Sequence, residues 1–132
     1  MAGLSPTQRT LRALRNEGRI CDIVEKWIAT PYSKIPGFRK DLFGFIDIVA
    51  LCPEKGILAI QSCGMSWSQH VKKIMDSEVT VNVIEWLKCG GSFQLWGWRK
   101  VKMKRGGKAM VWKPRMANII IKDGNICINE IK

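Results

Sequence analysis

The chain has 132 residues and, with 22 Lys and Arg against 11 Asp and Glu, a formal net charge of +11 at pH 7. The length fits one domain with one hydrophobic core over residues 1–132, and the hydrophobic content of 46% excludes a disordered tail protein. No apolar run approaches membrane-spanning length, so we expect no membrane partner, and the excess of positive charge favours a nucleic acid instead.

A first helix is predicted from Ser5 to Gly18. Ser5 provides a capping hydroxyl, Pro6 suits the first helical position and Gln8 completes a capping box, while Gly18 ends the pattern. Arginines recur at roughly helical spacing on or beside the side away from the apolar residues, at positions 9, 12, 15 and 19. Such a side is either a solvated face or a phosphate-facing one, and the sequence leaves both open.

A strand is favoured for residues 20–28, which are rich in β-branched side chains. In that strand Glu25 would share a face with Ile23 and Trp27, and a strand beside a central hairpin could deliver Glu25 to a site there as a metal ligand. A surface glutamate paired with Lys26 or with an arginine is the equally compatible alternative.

Residues 30–40 contain two prolines, a glycine and a cluster of basic side chains, and they predict a loop. Binding residues often lie on such loops, so Arg39 and Lys40 are candidate nucleic-acid contacts. Asp41 follows directly. Its position predicts a local salt bridge or turn contact, and we rank it below Asp47 as a metal ligand.

The stretch Phe43–Cys63 predicts a β-hairpin with a four-residue turn. Both arms are apolar, as in strands covered on both faces, yet the first contains Asp47 and the second contains Gln61. Pairing of Cys52 with residue 56 or 57 would bring Asp47 to within one position of Gln61. A carboxylate inside an apolar strand is costly unless it is compensated, so Asp47 is predicted to be either paired or functional.

An Asp on one strand, followed by a strand that ends in an acid-x-Lys triplet and then by a helix, is the pattern of the PD-(D/E)xK nucleases. The chain resembles that superfamily, especially archaeal-type Holliday junction resolvases and related phage nucleases, with the triplet Gln61-Ser62-Cys63. The segments RKDLFGFIDIVAL and LWGWRK also look like small phage and metagenomic proteins. The resemblance implies an α/β or α+β fold with a mixed central β-sheet flanked by helices, as in restriction endonucleases.

In that superfamily the Asp and the acid of the triplet hold a divalent metal, and the Lys helps to position the attacking water. The resemblance therefore implies that Asp47 and Gln61 bind Mg²⁺ or Mn²⁺, with Glu25 as a further ligand if its strand reaches them. Cys63 stands where the family has its Lys. In some members the Lys has moved to the helix after the triplet strand, and Lys72, the catalytic candidate, and Lys73 lie there.

Gly64 ends the second arm, and Ser66 can cap a helix that runs through His70 to about Leu87. The β-branched residues near 76–80 indicate a break in this helix. His70 is the only histidine of the chain, and such a residue is more often a surface side chain than a base.

Strands are predicted over residues 92–102, 109–121 and 126–131, joined by glycine-containing turns. No acidic residue occurs from Trp86 to Lys122, and basic residues alternate there with three tryptophans, of which at most one need be exposed. This composition is typical of a surface that neutralises phosphates and stacks on bases. The candidate contacts are Arg99, Lys100, Lys102, Lys104 and Arg105.

The cysteines are odd in number and form no Cys-x-x-Cys pair, which favours reduced, buried thiols over disulfides or zinc. With no signal-peptide core at the N-terminus, the sequence predicts a cytoplasmic protein, in a bacterial host cell if it is phage-encoded. Two functions remain open. One is a divalent-metal-dependent DNA endonuclease acting on branched or phage DNA, and the other is a non-catalytic nucleic-acid-binding protein with a degenerate nuclease fold. DNA is favoured over RNA, and the resemblance to resolvases implies a homodimer.

Overall fold

The computed structural model describes residues 3–131, which form a six-stranded mixed sheet with helices on both faces and a separate two-stranded ribbon. The helices are α1 (Pro6–Asn16), α2 (Trp67–Met75) and α3 (Ser77–Lys88). The strands are β1 (Ile20–Ile23), β2 (Lys26–Ala29), β3 (Gly37–Lys40), β4 (Ile48–Cys52), β5 (Gly56–Cys63), β6 (Ser92–Lys102), β7 (Met110–Lys122) and β8 (Asn125–Ile131).

The strand order of the large sheet is β1-β4-β5-β6-β7-β8. Strands β5 and β6 are parallel, and every other neighbouring pair is antiparallel. A parallel pair needs a crossover connection, and α2 with α3 provides it. The fold is therefore α/β (α+β) with a mixed central sheet flanked by helices, and this part of the sequence prediction is confirmed.

Helix α1 begins where its capping residues predict. The backbone N–H of Gln8 donates to Ser5 Oγ over 3.1 Å, and Pro6 occupies the first turn. The helix buries Leu11 and Leu14 against one face of the sheet, in a core with Ile48 and six other buried residues of the described chain. Apolar burial of this kind stabilises the contact by roughly 25 cal/mol per Å² of area removed from water.

Helices α2 and α3 cover the opposite face, where Phe45, Ile74 and Phe93 belong to the larger core. The predicted break lies at Asp76, whose carboxylate accepts a hydrogen bond from the backbone N–H of Glu78 at the start of α3. Ser66 precedes α2, but its side chain makes no capping hydrogen bond, so this part of the prediction was wrong.

Two predicted segments differ from the structure. Residues 20–28 are divided between β1, which joins the large sheet, and β2, which leaves it. Residues 30–40 were predicted to be a loop, but residues 37–40 form β3 and pair with β2. The prolines and glycine of this segment mark the turn of a β-ribbon, and the strand after that turn depends on a partner that local sequence signals do not reveal.

The central hairpin has the expected register, with Cys52 opposite Gly56. Its first arm is shorter than predicted because the chain folds back at Leu42, which pairs with Ile46 across a tight turn. Phe43 adopts a left-handed backbone conformation in this turn, with φ of 56°. Asp47 therefore lies between the turn and the first residue of β4.

Candidate functional site

Asp47 is held rigidly by its own backbone. Its N–H donates to the carbonyl of Ile60 over 3.0 Å, and its C=O accepts the N–H of Val24 over 2.9 Å. Its carboxylate is only 6% exposed, and Oδ2 accepts the backbone N–H of Ser62 over 2.8 Å. The hairpin register ends with Ile48 opposite Ile60, so Asp47 lies within one position of Gln61, as the sequence predicts.

Two further carboxylates converge on Asp47. Oxygen atoms of Glu25, Asp41 and Asp47 all lie within 4.8 Å of one another. The Val24–Asp47 hydrogen bond brings Glu25 to the site, and the tight turn after Asp41 folds the chain back on itself, with Gly44 N–H donating to the carbonyl of Asp41. We call these three residues the acidic cluster.

The acidic cluster contains three carboxylates, but only two of them form an ion pair with a cationic side chain of the described chain. Glu25 Oε1 lies 2.9 Å from Arg39 Nη1, and Asp41 Oδ2 lies 2.8 Å from Lys73 Nζ. Asp47 has no ion pair within the part of the chain that the structure describes. The alternative that Asp47 is half of a structural ion pair is therefore not supported.

Burial is the main reason why the pKa of Asp47 is raised to about 8. A hydrogen bond with the side chain of Asp41 and the negative charges of Asp41 and Glu25 act in the same direction, and the Ser62 N–H opposes them. At neutral pH the cluster thus retains a proton in place of a third cation. Carboxylate oxygens with excess negative charge are the donors that Mg²⁺ and Mn²⁺ prefer, so this donor set fits either ion.

Gln61 is fully buried, and both ends of its amide are engaged. Its Nε2 donates to the carbonyl of Phe45 over 3.1 Å, which directs Oε1 towards His70 Nδ1, also at 3.1 Å. Because Oε1 can only accept, His70 carries its proton on Nδ1 and leaves Nε2 as an acceptor. To act as the predicted metal ligand, the Gln61 oxygen would have to use its second lone pair beside this hydrogen bond.

His70 is half-buried beside the cluster rather than free on the surface. Burial lowers the pKa of His70, the charge of Lys73 lowers it further, and Asp41 opposes them. The ring is therefore neutral at pH 7. The sequence predicted a local salt bridge or turn contact for Asp41 and ranked it below Asp47 as a metal ligand, and it favoured a surface position for His70 over a role as a base. The acidic side chain of Asp41 was the one signal in the sequence that could have pointed to the cluster. Its contact with Lys73 could not be predicted from neighbouring residues, because Lys73 is 32 residues away in the chain.

Cys63 provides no positive charge where the resembled family has Lys. Burial raises the pKa of the Cys63 thiol to about 11, and the negative charge of Asp47 adds to the effect. Lys72 does not replace the missing Lys. It is exposed on α2 and forms no hydrogen bond or ion pair with any described residue. Consecutive helical residues point about 100° apart, so the helix presents Lys73 to the cluster and turns Lys72 away.

The strands β6 and β7 form a long hairpin whose outer half is basic. All five predicted contacts on it are exposed, and none forms an ion pair within residues 3–131. Trp96 and Trp98 are buried, whereas Trp112 is 39% exposed, which confirms the expectation that one tryptophan at most would be. On the ribbon, Arg39 is engaged with Glu25, and Lys40 is exposed without an ion pair to any described residue.

All five cysteines are free, as predicted. Cys52 and Cys63 are buried, Cys21 and Cys127 are partly buried, and Cys89 is exposed after the end of α3. None of the helices in residues 3–131 combines the length and the apolar character needed to cross a membrane. Family models, curated proteins and solved structures were all compared with the chain, and none matches it.

Proposed function

We propose that this protein is a divalent-metal-dependent deoxyribonuclease that hydrolyses phosphodiester bonds, with Glu25, Asp41 and Asp47 as the ligands of Mg²⁺ or Mn²⁺. The observation that supports it most is the convergence of three carboxylates within 4.8 Å around the buried Asp47. Burying a carboxylate next to two others is costly, and a bound cation would compensate it.

The order of the elements supports the same proposal. Apart from the β2–β3 ribbon, which is inserted between β1 and β4, the elements come in the order α1, β1, β4, β5, α2, α3 and β6. They form a helix, three antiparallel strands, two helices and a strand parallel to the third. Asp47 precedes the second of these strands, and Gln61 and Cys63 end the third. The resemblance to PD-(D/E)xK nucleases implies this arrangement, with Asp41 in addition to the ligands expected from the sequence.

The residues of the chain have separable roles in this proposal. Arg39 and Lys73 limit the repulsion among the carboxylates while no cation is bound. His70 keeps an unprotonated Nε2 at neutral pH, which can accept a proton from water. The exposed cations of the β6–β7 hairpin attract the nucleic-acid backbone. A divalent ion, when bound, would supply Lewis-acid polarisation of the scissile phosphate and lower the pKa of a water.

A second candidate function is nucleic-acid binding without catalysis. The engaged amide of Gln61 and the neutral thiol of Cys63 favour it, because neither adds charge to a metal site. The exposed cations of the β6–β7 hairpin serve this function equally well. The two candidates share a ligand and differ only in what happens at the acidic cluster.

Cleavage assays with Mg²⁺ and Mn²⁺ on single-stranded, duplex and branched DNA test the proposal, together with a calorimetric Mn²⁺ titration. Asp47→Asn should abolish both cleavage and ion binding. The matched control is Asp123→Asn, an exposed carboxylate in the β7–β8 turn, which should change neither. If the wild type binds no ion and cleaves none of the substrates, the nuclease proposal fails. Salt-sensitive DNA binding under the same conditions would then support the second candidate.

A further inference from the structure

A cavity of about 310 Å³ opens between the first turn of α1, the chain after β5 and the β6–β7 hairpin. Pro6, Met65, Trp98 and Trp112 provide apolar walls, and Arg9 and Lys100 provide positive charge. None of the described residues that line it is acidic. The volume is at the lower end of the range for small-ligand pockets, which is about 300–1,000 Å³. Apolar aromatic walls with two cations fit a flat aromatic ligand that carries an anionic group.

The walls are fixed in place. The indole N–H of Trp98 donates to Thr10 Oγ1 over 2.9 Å, which anchors β6 to α1. The Arg9 guanidinium lies 3.9 Å from the centre of the Trp112 ring, and Lys100 Nζ lies 5.4 Å from it. The guanidinium thus covers one face of the Trp112 ring. Nucleobases stack on aromatic rings and on arginine guanidinium planes alike, so a base can stack on the outer plane of Arg9 or on the uncovered face of Trp112, beside Lys100.

The cavity and the acidic cluster lie on opposite faces of the sheet, and the end of β5 connects them. Ser62 donates its N–H to Asp47 on one side, while its hydroxyl contacts Thr10 of α1 at 2.8 Å on the other. Gly64 and Met65, which border the cavity, follow two residues later. A single strand with one base in the cavity would thus approach the end of the sheet where the carboxylates converge.

We infer that this cavity binds one unpaired base of a single-stranded nucleic acid, with the adjoining phosphate on Arg9 and Lys100. The inference rests on the proposed function, because it names the part of the substrate that enters beside the acidic cluster. A base inside an intact duplex is covered by its stacked neighbours and cannot enter a cavity of this size. Duplex DNA therefore contacts the basic hairpin alone, whereas single-stranded or branched DNA also fills the cavity.

The test measures binding in EDTA, where no cleavage occurs, by fluorescence anisotropy of labelled oligonucleotides. The wild type should bind a base-containing single strand about 5- to 150-fold more tightly than an abasic deoxyribose-phosphate chain of equal length. Trp112→Leu should reduce this ratio to below about 3-fold and leave duplex affinity within about 2-fold, because only the stacking surface is lost. The matched control is Trp27→Leu, which removes another exposed tryptophan, on β2, and should preserve the ratio.

A wild type that binds both single strands equally would overturn the inference, and this comparison needs no variant. A ratio that survives Trp112→Leu in a folded protein would also overturn it. Asp47→Asn should abolish cleavage but leave the affinity ratio between the base-containing and the abasic strand unchanged. The base-binding inference and the nuclease proposal are therefore tested separately. Base discrimination without any cleavage would refute the nuclease alone.

Discussion

Gln61 and His70 hold each other in one orientation beside the acidic cluster, through a single contact of 3.1 Å between Oε1 and Nδ1. The orientation of the Gln61 amide is set by a second hydrogen bond, which its Nε2 donates to the carbonyl of Phe45. A backbone carbonyl thus decides which nitrogen of the imidazole is protonated. The Gln at the acid position of the triplet organises a neighbouring base even where it contributes no charge to an ion.

Gln61→Glu should disturb this arrangement in two ways. The carboxylate cannot donate to the carbonyl of Phe45, so the free energy of unfolding should fall by about 1–3 kcal/mol. The added negative charge should raise the pKa of His70 above that of the wild type. Thermal denaturation and an NMR titration of the imidazole measure the two effects. Gln61→Leu is the control, since it loses the hydrogen bonds without adding charge and should not raise the pKa. An unchanged His70 pKa in Gln61→Glu would contradict the contact.

The stability of the metal-free protein should fall as the pH rises. The folded-state pKa of Asp47 is about 8 against an ordinary value of 3.8, so between these pH values the folded chain holds a proton that the unfolded chain has lost. The contribution is fully present below about pH 4, is lost progressively towards pH 8, and stays constant above it. Asp47→Asn should remove this dependence.

Urea denaturation in EDTA at pH 5 and pH 8.5 measures the effect. Relative to the wild type, Asp47→Asn should gain on the order of 2–5 kcal/mol between the two pH values. The control Asp123→Asn should follow the wild type, because this carboxylate is exposed to solvent in the β7–β8 turn. Parallel pH profiles for the wild type and Asp47→Asn would show that the carboxylate is ionised throughout.

Lys73→Met should strengthen Mn²⁺ binding. Lys73 neutralises Asp41 over 2.8 Å, and its removal leaves more negative charge at the cluster. Because Lys73 is 44% exposed, solvent screening limits the gain to about 2- to 5-fold in affinity. Lys72→Met is the matched control. Lys72 is next to Lys73 on α2 but is exposed and forms no ion pair with a described residue, so its replacement should leave Mn²⁺ affinity unchanged. Calorimetric titration decides between these outcomes. A loss of cleavage in the control would support the catalytic role predicted for Lys72 from the sequence.

Binding to duplex DNA should depend steeply on salt through the β6–β7 hairpin. Double replacement of Lys104 and Arg105 by Ala should lower the log-log salt slope by about 2, at about 0.9 for each lost phosphate contact. The control replaces Lys55 and Lys88, which are also exposed but lie at the turn before β5 and at the end of α3. That pair removes the same charge and should leave the slope nearly unchanged. Equal losses in both double variants would indicate a general charge effect.

The parts of this fold that depend on near neighbours were predictable from the sequence. The cap at Ser5 and the register of Cys52 opposite Gly56 each follow from a few adjacent residues. The pairing of β2 with β3 was missed, because it joins residues that are 8 to 14 positions apart, from Ala29 with Gly37 to Lys26 with Lys40. The site divides in the same way. Asp47 was evident as a charge in an apolar strand, but its contact with Asp41 and the bond from Asp41 to Lys73 arise only when distant segments meet.

Within the described residues, β2 and β3 pair with each other and with no other strand. Two of the three clustered carboxylates, Glu25 and Asp41, flank the open end of this ribbon, directly before β2 and directly after β3. Small two-stranded elements open locally at lower free energy than a central sheet. Each such opening would separate the carboxylates while the core stays folded. The apparent ion affinity is therefore reduced by the fraction of molecules in which the ribbon is open. An ion that bridges the cluster should in turn slow amide hydrogen exchange along the ribbon far more than in β5. Ion binding and the closed conformation of the ribbon would then stabilise each other.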